Sequence, residues 1–307
     1  MHVPVLLREV LDLLAPRPGL TVVDATVGGG GHAEALLEAT APDGRLLAVD
    51  RDAAALAVAR ERLARFGARV RFAEGDYGDL SAHLRDAGLG PVGAVLADCG
   101  VSSLQLDDPS RGLSFRQDGP LDMRLSAAAP RTAADLVNSA TQEELADLFF
   151  HFGEERASRR IARRIVERRA RTPFTRTVDL AETVASAAHG RWGRLHPATR
   201  VFQALRIAVN GELESLEQLL RAAPECVAPG GRLAVISFHS LEDRRVKHAF
   251  REGDRAGVWS VLTRKPVTPS RAEQEENPRA RSGKLRVAER MNPISRATLC
   301  RGRAPGR

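Results

Sequence analysis

Cysteine is scarce in this chain of 307 residues, and its three cysteines, Cys99, Cys226 and Cys300, lie far apart. An odd number at such spacing fits neither a disulfide framework nor the paired ligands of a zinc site. The sequence therefore predicts a protein of a reducing compartment, and we assign no metal ligands.

Long apolar runs are missing too. No stretch approaches the roughly 20 apolar residues of a membrane span, and residues 1–5 lack the charged and then apolar build of a signal peptide. We expect a soluble, cytoplasmic protein without a membrane partner. With 43% hydrophobic residues, a chain of this length can bury the core of one large domain or two smaller ones.

Acidic residues are outnumbered, 39 against 46 Lys and Arg, which leaves a net charge of +7. Arginine supplies nearly all of the positive charge, and its guanidinium group suits forked hydrogen bonds to phosphate. A nucleic-acid partner is one explanation, and a merely basic surface is the other. The densest run of arginines lies at residues 154–171. It is either the solvated face of a packed helix or a phosphate-binding face. Its arginines are Arg156, Arg159, Arg160, Arg163, Arg164, Arg168, Arg169 and Arg171.

The most distinctive stretch is residues 21–32, TVVDATVGGGGH. A short apolar run followed by four glycines and an apolar helix predicts a buried strand, a tight turn and a helix start. Glycine there permits positive φ and close approach of a ligand to the backbone, so Gly28 and Gly30 are candidate ligand contacts. A turn that merely connects strand to helix is the alternative.

Two nucleotide-like ligands fit this turn. Gly28 to Ala33 satisfy the G-x-G-x-x-A dinucleotide pattern, with Asp50 about 20 residues further on. The same residues satisfy the D-x-x-x-G-x-G pattern of S-adenosyl-L-methionine (SAM) methyltransferases, with Asp24 as the acid. The turn alone leaves both ligands open.

Four predicted strands, residues 21–24, 45–50, 70–73 and 93–98, alternate with helices. This order predicts an α/β fold with a doubly wound, Rossmann-like parallel sheet, whose ligand crevice lies at the carboxyl ends of the strands. We expect the acids at or just beyond those ends to surround the crevice, unless they serve as helix caps. These acids are Asp24, Asp50, Asp76 and Asp98.

The next strand of this kind, residues 232–238, begins much further along than an ordinary crossover requires. We therefore predict a helical insertion and divide the chain into a core of residues 1–104 and 206–307 and an inserted substrate-recognition domain, residues 105–205. Residues 259–262 and 284–288 could form an antiparallel pair at the sheet edge. The loop between them and the tail from Asn292 are expected to be mobile.

Long strings of the sequence resemble the MraW-type (RsmH) ribosomal RNA small-subunit methyltransferases. Examples are DATVGGGGH at residues 24–32, DCGVSSLQLD at residues 98–107 and SFHSLED at residues 237–243. The likeness runs nearly end to end, and further strings stand at residues 2–6, 111–115, 118–124, 152–155, 196–207 and 277–282.

The resemblance implies a SAM-dependent methyltransferase sheet with an inserted helical domain. It implies methyl transfer from SAM to N4 of a cytidine in 16S rRNA at the decoding centre, the P site, of the small ribosomal subunit. In this family the SAM contacts fall on positions that match Gly30, Gly31, His32, Asp50, Tyr77, Asp98 and Gln105. Tyr77 stands where phenylalanine is frequent, and Cys99 where leucine is common.

Candidate catalytic residues follow from the reaction. The N4 lone pair of cytosine is delocalised into the ring, so the site must help the nitrogen become tetrahedral and must remove a proton. Asp98 is expected nearest the amino group or the methionine part of SAM, with Ser102 and Ser103 as candidate hydrogen-bond partners. His239 is a candidate proton acceptor, and local hydrogen bonding is its alternative role.

An unstacked target base also needs an apolar or aromatic contact. The chain has one Tyr, two Trp and ten Phe, and the candidates are Phe115, Trp192, Phe202 and Phe238. An NAD-dependent oxidoreductase and a non-catalytic RNA-binding or ribosome assembly protein remain alternative functions, and a monomer and a homodimer are both open.

Overall fold

The computed structural model describes residues 4–126, 128–188 and 196–292 of the chain. It divides into two compact units, the first formed by the chain up to Gly100 and from Glu214 onward, the second by Val101–Leu213. The predicted insertion at residues 105–205 falls within the second unit, and its assignment to substrate recognition stays a prediction. Among the described helices, none combines the length and the apolar character that crossing a membrane requires.

The secondary structure alternates as expected in the first part of the chain. The strands are β1 Thr21–Asp24, β2 Arg45–Asp50, β3 Val70–Glu74, β4 Val92–Cys99, β5 Val227–Ser237, β6 Trp259–Val261 and β7 Lys284–Arg290. The helices are α1 Leu7–Leu14, α2 Gly31–Ala39, α3 Ala53–Leu63, α4 Leu80–Asp86, α5 Ser103–Asp107, α6 Ala133–Ser139, α7 Gln142–Gly153, α8 Ser158–Arg169, α9 Thr177–Ala187, α10 Ala198–Asn210, α11 Glu212–Cys226, α12 Ser240–Arg255 and α13 Arg271–Glu276.

The seven strands form one sheet in the order β3-β2-β1-β4-β5-β7-β6. β1 to β5 are parallel, whereas β7 pairs antiparallel with both β5 and β6. The predicted doubly wound α/β class and the antiparallel edge are thus confirmed. The chain winds outward from β1 to β3 and returns to add β4 on the other side of β1, so the direction of winding switches between β1 and β4. Ligand crevices of open α/β sheets lie at such a switch.

Side chains alternate between the two faces of the sheet, as the period of two requires. Val22 of β1 packs into the core on one face, and its neighbour Val23 into the core on the other. The first core is covered by apolar residues of α1, α2 and α3. The second is covered by α4, α11 and α12. Both faces of the sheet pack into apolar cores, so polar groups are concentrated at the strand ends.

Two predicted segments differ in detail. The arginine-rich helix starts at Ser158 rather than near residue 154, because Glu154 adopts φ 49° and ends α7 in the left-handed region. The segment expected to be a loop between β6 and β7 contains the short helix α13. The predicted mobile tail lies outside the described residues except at Asn292.

The second unit is helical, with a core built from α6 to α10 and from apolar residues near its beginning. The predicted helix start at Thr141 is confirmed, since Thr141 and Glu144 form a reciprocal capping box. Asn210 fixes the irregular segment of this unit. Its Oδ1 accepts a hydrogen bond from Leu125 N at 2.8 Å, and its Nδ2 donates to Met123 O at 2.8 Å. Met123 is fully buried and has φ 64°, a conformation that needs such support.

Replacing Asn210 by Ala should destabilise the protein by about 1–3 kcal/mol, because the N–H of Leu125 and the C=O of Met123 lose their hydrogen-bond partner. The measurement is the midpoint of urea unfolding at fixed pH. Glu143→Ala, an exposed change in the same unit, should stay within about 0.5 kcal/mol of the parent. Equal midpoints for both variants would show that Asn210 does not hold this segment.

Candidate active site

The glycine turn forms one side of the candidate site. Gly28 and Gly30 have φ of 50° and 80°, which non-glycine residues adopt at a cost. Gly30 N donates to Val27 O at 2.7 Å and closes the turn. A Cβ on Gly29 would meet nothing within 4 Å, whereas a Cβ on Gly31 would lie 2.4 Å from Pro4 Cγ. The backbone of the turn is therefore open to a ligand at Gly29 and tightly packed at Gly31, the first residue of α2.

Asp50, at the end of β2, is bound to this turn. Its Oδ2 accepts a hydrogen bond from Gly28 N at 2.8 Å, and its Oδ1 accepts one from Asp52 N at 2.9 Å. Burial raises the pKa of the Asp50 carboxyl, and these two N–H groups oppose the rise. Each carboxylate oxygen has a second lone pair, so Asp50 keeps the capacity to accept the hydroxyls of a ribose.

Asp24 and Asp98 are the acids at the switch point, at the ends of β1 and β4. Asp24 Oδ1 accepts a hydrogen bond from Thr26 N at 3.2 Å, and Thr26 Oγ1 accepts one from Asp98 N at 2.6 Å. Thr26 thus joins the two strand ends. Asp24 Oδ2 and Asp98 Oδ1 are enclosed but have no hydrogen-bond partner among the residues that the structure describes, which is costly for a carboxylate.

Burial shifts the protonation of both acids. It raises the pKa of Asp24 to about 7, with Asp50 adding to the rise and the N–H groups of Thr26 and Ala33 opposing it. It raises the pKa of Asp98 to about 8, and the charges of Asp24 and Glu242 add to the rise. Near neutral pH Asp98 is therefore mainly protonated, whereas Asp24 is close to its midpoint of titration.

Glu242 is the third acid of this group and is not among the residues predicted from the sequence. It lies in the first turn of α12 and is 3% exposed. Its Oε2 accepts a hydrogen bond from Phe238 N at 2.8 Å, so it holds the start of α12 against the end of β5. A polar residue followed three positions later by Glu is the pattern of a capping box, which was the available signal.

His239 is the N-cap residue of α12. Its Nδ1 accepts a hydrogen bond from Glu242 N at 3.4 Å, and its Nε2 lies 3.1 Å from Glu242 Oε1. An Nδ1 that accepts a backbone N–H carries no proton, so Nε2 carries it in the neutral ring. The local hydrogen bonding that was the alternative role for His239 is present. Its catalytic role stays a prediction.

His32, in the first turn of α2, is 6% exposed. Its Nε2 lies 3.0 Å from Val5 O, and because a carbonyl oxygen only accepts, Nε2 is the donor. The other ring nitrogen, Nδ1, lies 3.8 Å from Asp98 Oδ2. The ring is therefore oriented by the backbone of Val5, with an unprotonated nitrogen of the neutral form towards Asp98.

Asp76 does not behave as the other three strand-end acids do. Its carboxylate pairs with Arg51 and accepts a hydrogen bond from Ser215 Oγ at 2.7 Å. It thus has structural partners within the first unit, and its place among the four acids expected around the crevice stays a prediction. Tyr77 follows directly and packs against the core, with the Arg51 guanidinium 5.8 Å from its ring centroid.

Ser102 and Gln105 belong to the second unit. Ser102 is the N-cap residue of α5, where its Oγ accepts from Gln105 N at 3.2 Å and its N donates to Gln105 Oε1 at 2.9 Å. Of the candidate base contacts, Phe115 packs against Phe202 with ring centroids 4.9 Å apart. Phe238 lies against Gly100, and Trp192 is outside the described residues.

The residues of the first unit fit SAM. A ribose suits the acceptors of Asp50, and the bare turn permits close approach of the ligand. The unpartnered oxygens of Asp24 and Asp98 suit a cationic group, and SAM carries an ammonium and a sulfonium. Desolvated acids without a protein cation are expected where a ligand supplies the positive charge.

The sheet order, the turn after β1 and the acid after β2 define the class of Rossmann-like SAM-dependent methyltransferases. Within that class the sequence is specific: the family model of the MraW methylase family matches residues 1–291, and the chain belongs to this family. The resemblance in the sequence is confirmed, and SAM is the cofactor. The NAD alternative is thereby set aside.

Relatives cover almost the whole chain. The protein named ribosomal RNA small subunit methyltransferase H from Cyanothece sp. is 54% identical over 295 residues, which is 96% of each chain. The protein of the same name from Sorangium cellulosum is 54% identical over 291 residues, covering 94% of this chain and 91% of its own. A solved rRNA methylase from Streptococcus thermophilus is similar with TM-score 0.45 and 12% identity, covering 95% of this chain and all of that one.

The raised pKa of Asp98 predicts how stability depends on pH. Because the folded pKa lies above the ordinary value of 3.8, the stabilising contribution of the acid form is complete below pH 3.8 and is lost as pH rises through about 8. The unfolding free energy of the unliganded protein should therefore fall from pH 5 to pH 9. In Asp98→Asn this fall should be smaller by more than about 1.4 kcal/mol, the free energy of one pKa unit.

Urea unfolding at several pH values measures this slope. Asp147→Asn, at an exposed position of the second unit, is the matched control and should keep the parent slope. A slope in Asp98→Asn equal to that of the parent would mean that Asp98 is ionised at neutral pH despite its burial.

Proposed function

We propose that this protein transfers a methyl group from SAM to N4 of a specific cytidine in 16S rRNA, at the decoding centre (P site) of the small ribosomal subunit. Membership of the MraW methylase family supports methyl transfer. The names of the relatives, ribosomal RNA small subunit methyltransferase H, support the substrate class. The small subunit is then the partner, and the cytoplasm the compartment.

The observation that carries the chemistry is the Asp98 carboxyl at the end of β4. One of its oxygens is enclosed without a partner, and a quarter of the side chain is exposed. The bound cofactor supplies an electrophilic methyl group on a sulfonium. A carboxylate at the switch point can accept a hydrogen bond from the attacking amino group, which favours the tetrahedral nitrogen, and can take the proton that this nitrogen must lose.

Burial makes Asp98 better suited to this task. A carboxylate with a raised pKa binds a proton more tightly, so its driving force for accepting one is larger than that of an exposed aspartate. A cation at the site favours the ionised form of Asp98. The Asp98 carboxyl is then ionised and able to accept a proton when both substrates are bound. It is protonated when they are absent.

The remaining site assignments belong to the same proposal. Ser102 is proposed as a hydrogen-bond partner in catalysis and His239 as a second candidate proton acceptor. The cofactor contacts are proposed at Gly28, Gly30, Gly31, His32, Asp50, Tyr77, Asp98 and Gln105. For His239, proton acceptance at Nδ1 would displace the backbone N–H of Glu242 from the cap.

The test is methylation of small ribosomal subunits that lack the modification, followed by mass spectrometry of the rRNA nucleosides. We expect N4-methylated cytidine at one position. Asp98→Asn should lower kcat about 100-fold or more, the usual range for a lost proton acceptor. His239→Asn should stay within a few-fold of the parent, because Asn is an equally good N-cap residue.

Calorimetric titration with SAM separates chemistry from binding in both variants. A large loss of kcat in His239→Asn with normal SAM binding would move the proton acceptor from Asp98 to His239. Methylation on a carbon or oxygen atom, or at another base, would contradict the proposed substrate atom. Absence of any transfer by the parent protein would favour the non-catalytic assembly function.

A further inference from the structure

A cleft on the second unit combines an exposed aromatic ring with exposed arginines. It lies between the end of α7 and the start of α8 and has a volume of about 780 Å³, which is in the range of ligand pockets. We name it the α7–α8 cleft. Its lining residues are Ala146, Asp147, Phe150, His151, Arg156, Ala157, Ser158, Arg159 and Arg160.

Phe150 is the aromatic residue of this cleft. It is 54% exposed, although its neighbour Phe149 is fully buried in the core of the unit. α7 packs through Leu145 and Phe149, four residues apart, and Phe150 lies off that face. Its ring stands nearly at right angles to that of His151, with centroids 5.2 Å apart. Packing does not require a large apolar side chain at this position.

The arginines of the run divide into two groups. Arg168 and Arg169 serve the unit itself, since Arg168 lies over the Phe174 ring and pairs with Asp179 while Arg169 donates to Val137 O. Arg156, Arg159 and Arg160 are exposed. In the part of the chain that the structure describes, these three form no ion pair.

The exposed charge continues along α8. Arg163 and Arg164 follow Arg159 and Arg160 at the four-residue spacing that places side chains on one helix face. Both share a single acid, Glu167, at 3.7 Å and 3.8 Å. Among the described residues that line the cleft, Asp147 is the one acid. The cleft and the α8 face beside it are therefore strongly cationic, with a free aromatic surface at one end.

We propose that the α7–α8 cleft binds a single-stranded segment of the substrate RNA, with phosphates on Arg156, Arg159 and Arg160 and a base stacked on Phe150. Arginine beside an exposed aromatic ring is the combination that single strands require, because the phosphates need cations and the unpaired bases need a flat apolar surface. A protein partner would need no such charge excess. The inference rests on the proposed function, which makes RNA the substrate.

The experiment compares two variants of the full chain. Arg156→Ala/Arg159→Ala/Arg160→Ala should weaken binding of a fluorescein-labelled single-stranded RNA of mixed sequence about tenfold or more. It should also lower the slope of log K against log salt by about 2, since each phosphate contact on a single strand contributes about 0.7. Phe150→Ala should weaken binding roughly tenfold and leave the slope unchanged, whereas Phe150→Trp should bind as the parent does.

Arg8→Ala/Arg251→Ala/Arg271→Ala is the matched control, because it removes the same charge from exposed positions of the first unit. It should bind RNA within a few-fold of the parent. With small ribosomal subunits as substrate, the cleft variants should raise KM and leave kcat unchanged, because the cleft holds RNA and takes no part in the methyl transfer.

Equal loss of affinity in the control variant would overturn the proposal, since net charge alone would then explain binding. Loss of affinity for ribosomal subunits with unchanged affinity for free RNA would also overturn it and identify a protein partner. If KM is unchanged in the cleft variants and methylation is normal, the proposal that the cleft binds RNA is refuted and the proposed function remains. A parent protein that binds RNA through the cleft but transfers no methyl group refutes only the proposed function.

Discussion

The burial of carboxyl groups, to which repulsion between them adds, is the constraint on which the site of the first unit depends. The charges of Asp24 and Glu242 act on Asp98. Asp24 and Glu242 are buried, and Asp98 keeps a quarter of its side chain exposed. Such a group is stable only if protons or a cation balance it. Without a cation the raised pKa values of Asp24 and Asp98 supply the protons. A cationic cofactor can replace those protons, so its binding energy includes relief of the repulsion.

The backbone around these acids is organised to hold them in place. Thr26 joins the ends of β1 and β4, and Asp50 fixes the glycine turn through Gly28. Glu242 caps α12 and thereby stabilises a helix while its charge acts on Asp98. Structural hydrogen bonds therefore orient the same carboxylates that are proposed for binding and catalysis. Precise placement of such groups is what a reacting site requires.

Much of this site could be predicted from the sequence, because buried parallel strands leave apolar runs and their polar ends mark the crevice. Asp24, Asp50 and Asp98 were selected in this way as candidate site residues, and the resemblance to the MraW family added His32 and Tyr77. Their roles in binding and catalysis stay predictions. The partners of Asp76 could not be predicted in this way, because one of them, Ser215, lies on α11, far along the chain. Local patterns do not indicate which distant side chain will neutralise an acid.

The arginine-rich run shows the same limit for the second unit. From sequence alone its residues are equivalent, since all are cations at helical spacing. In the fold, Arg168 and Arg169 bind the ring and carbonyl groups of neighbouring elements, while Arg159 and Arg160 remain in solvent. The left-handed residue Glu154 ends α7, and α8 begins at Ser158. Where the chain turns determines which charges stabilise the unit and which stay available to a polyanion.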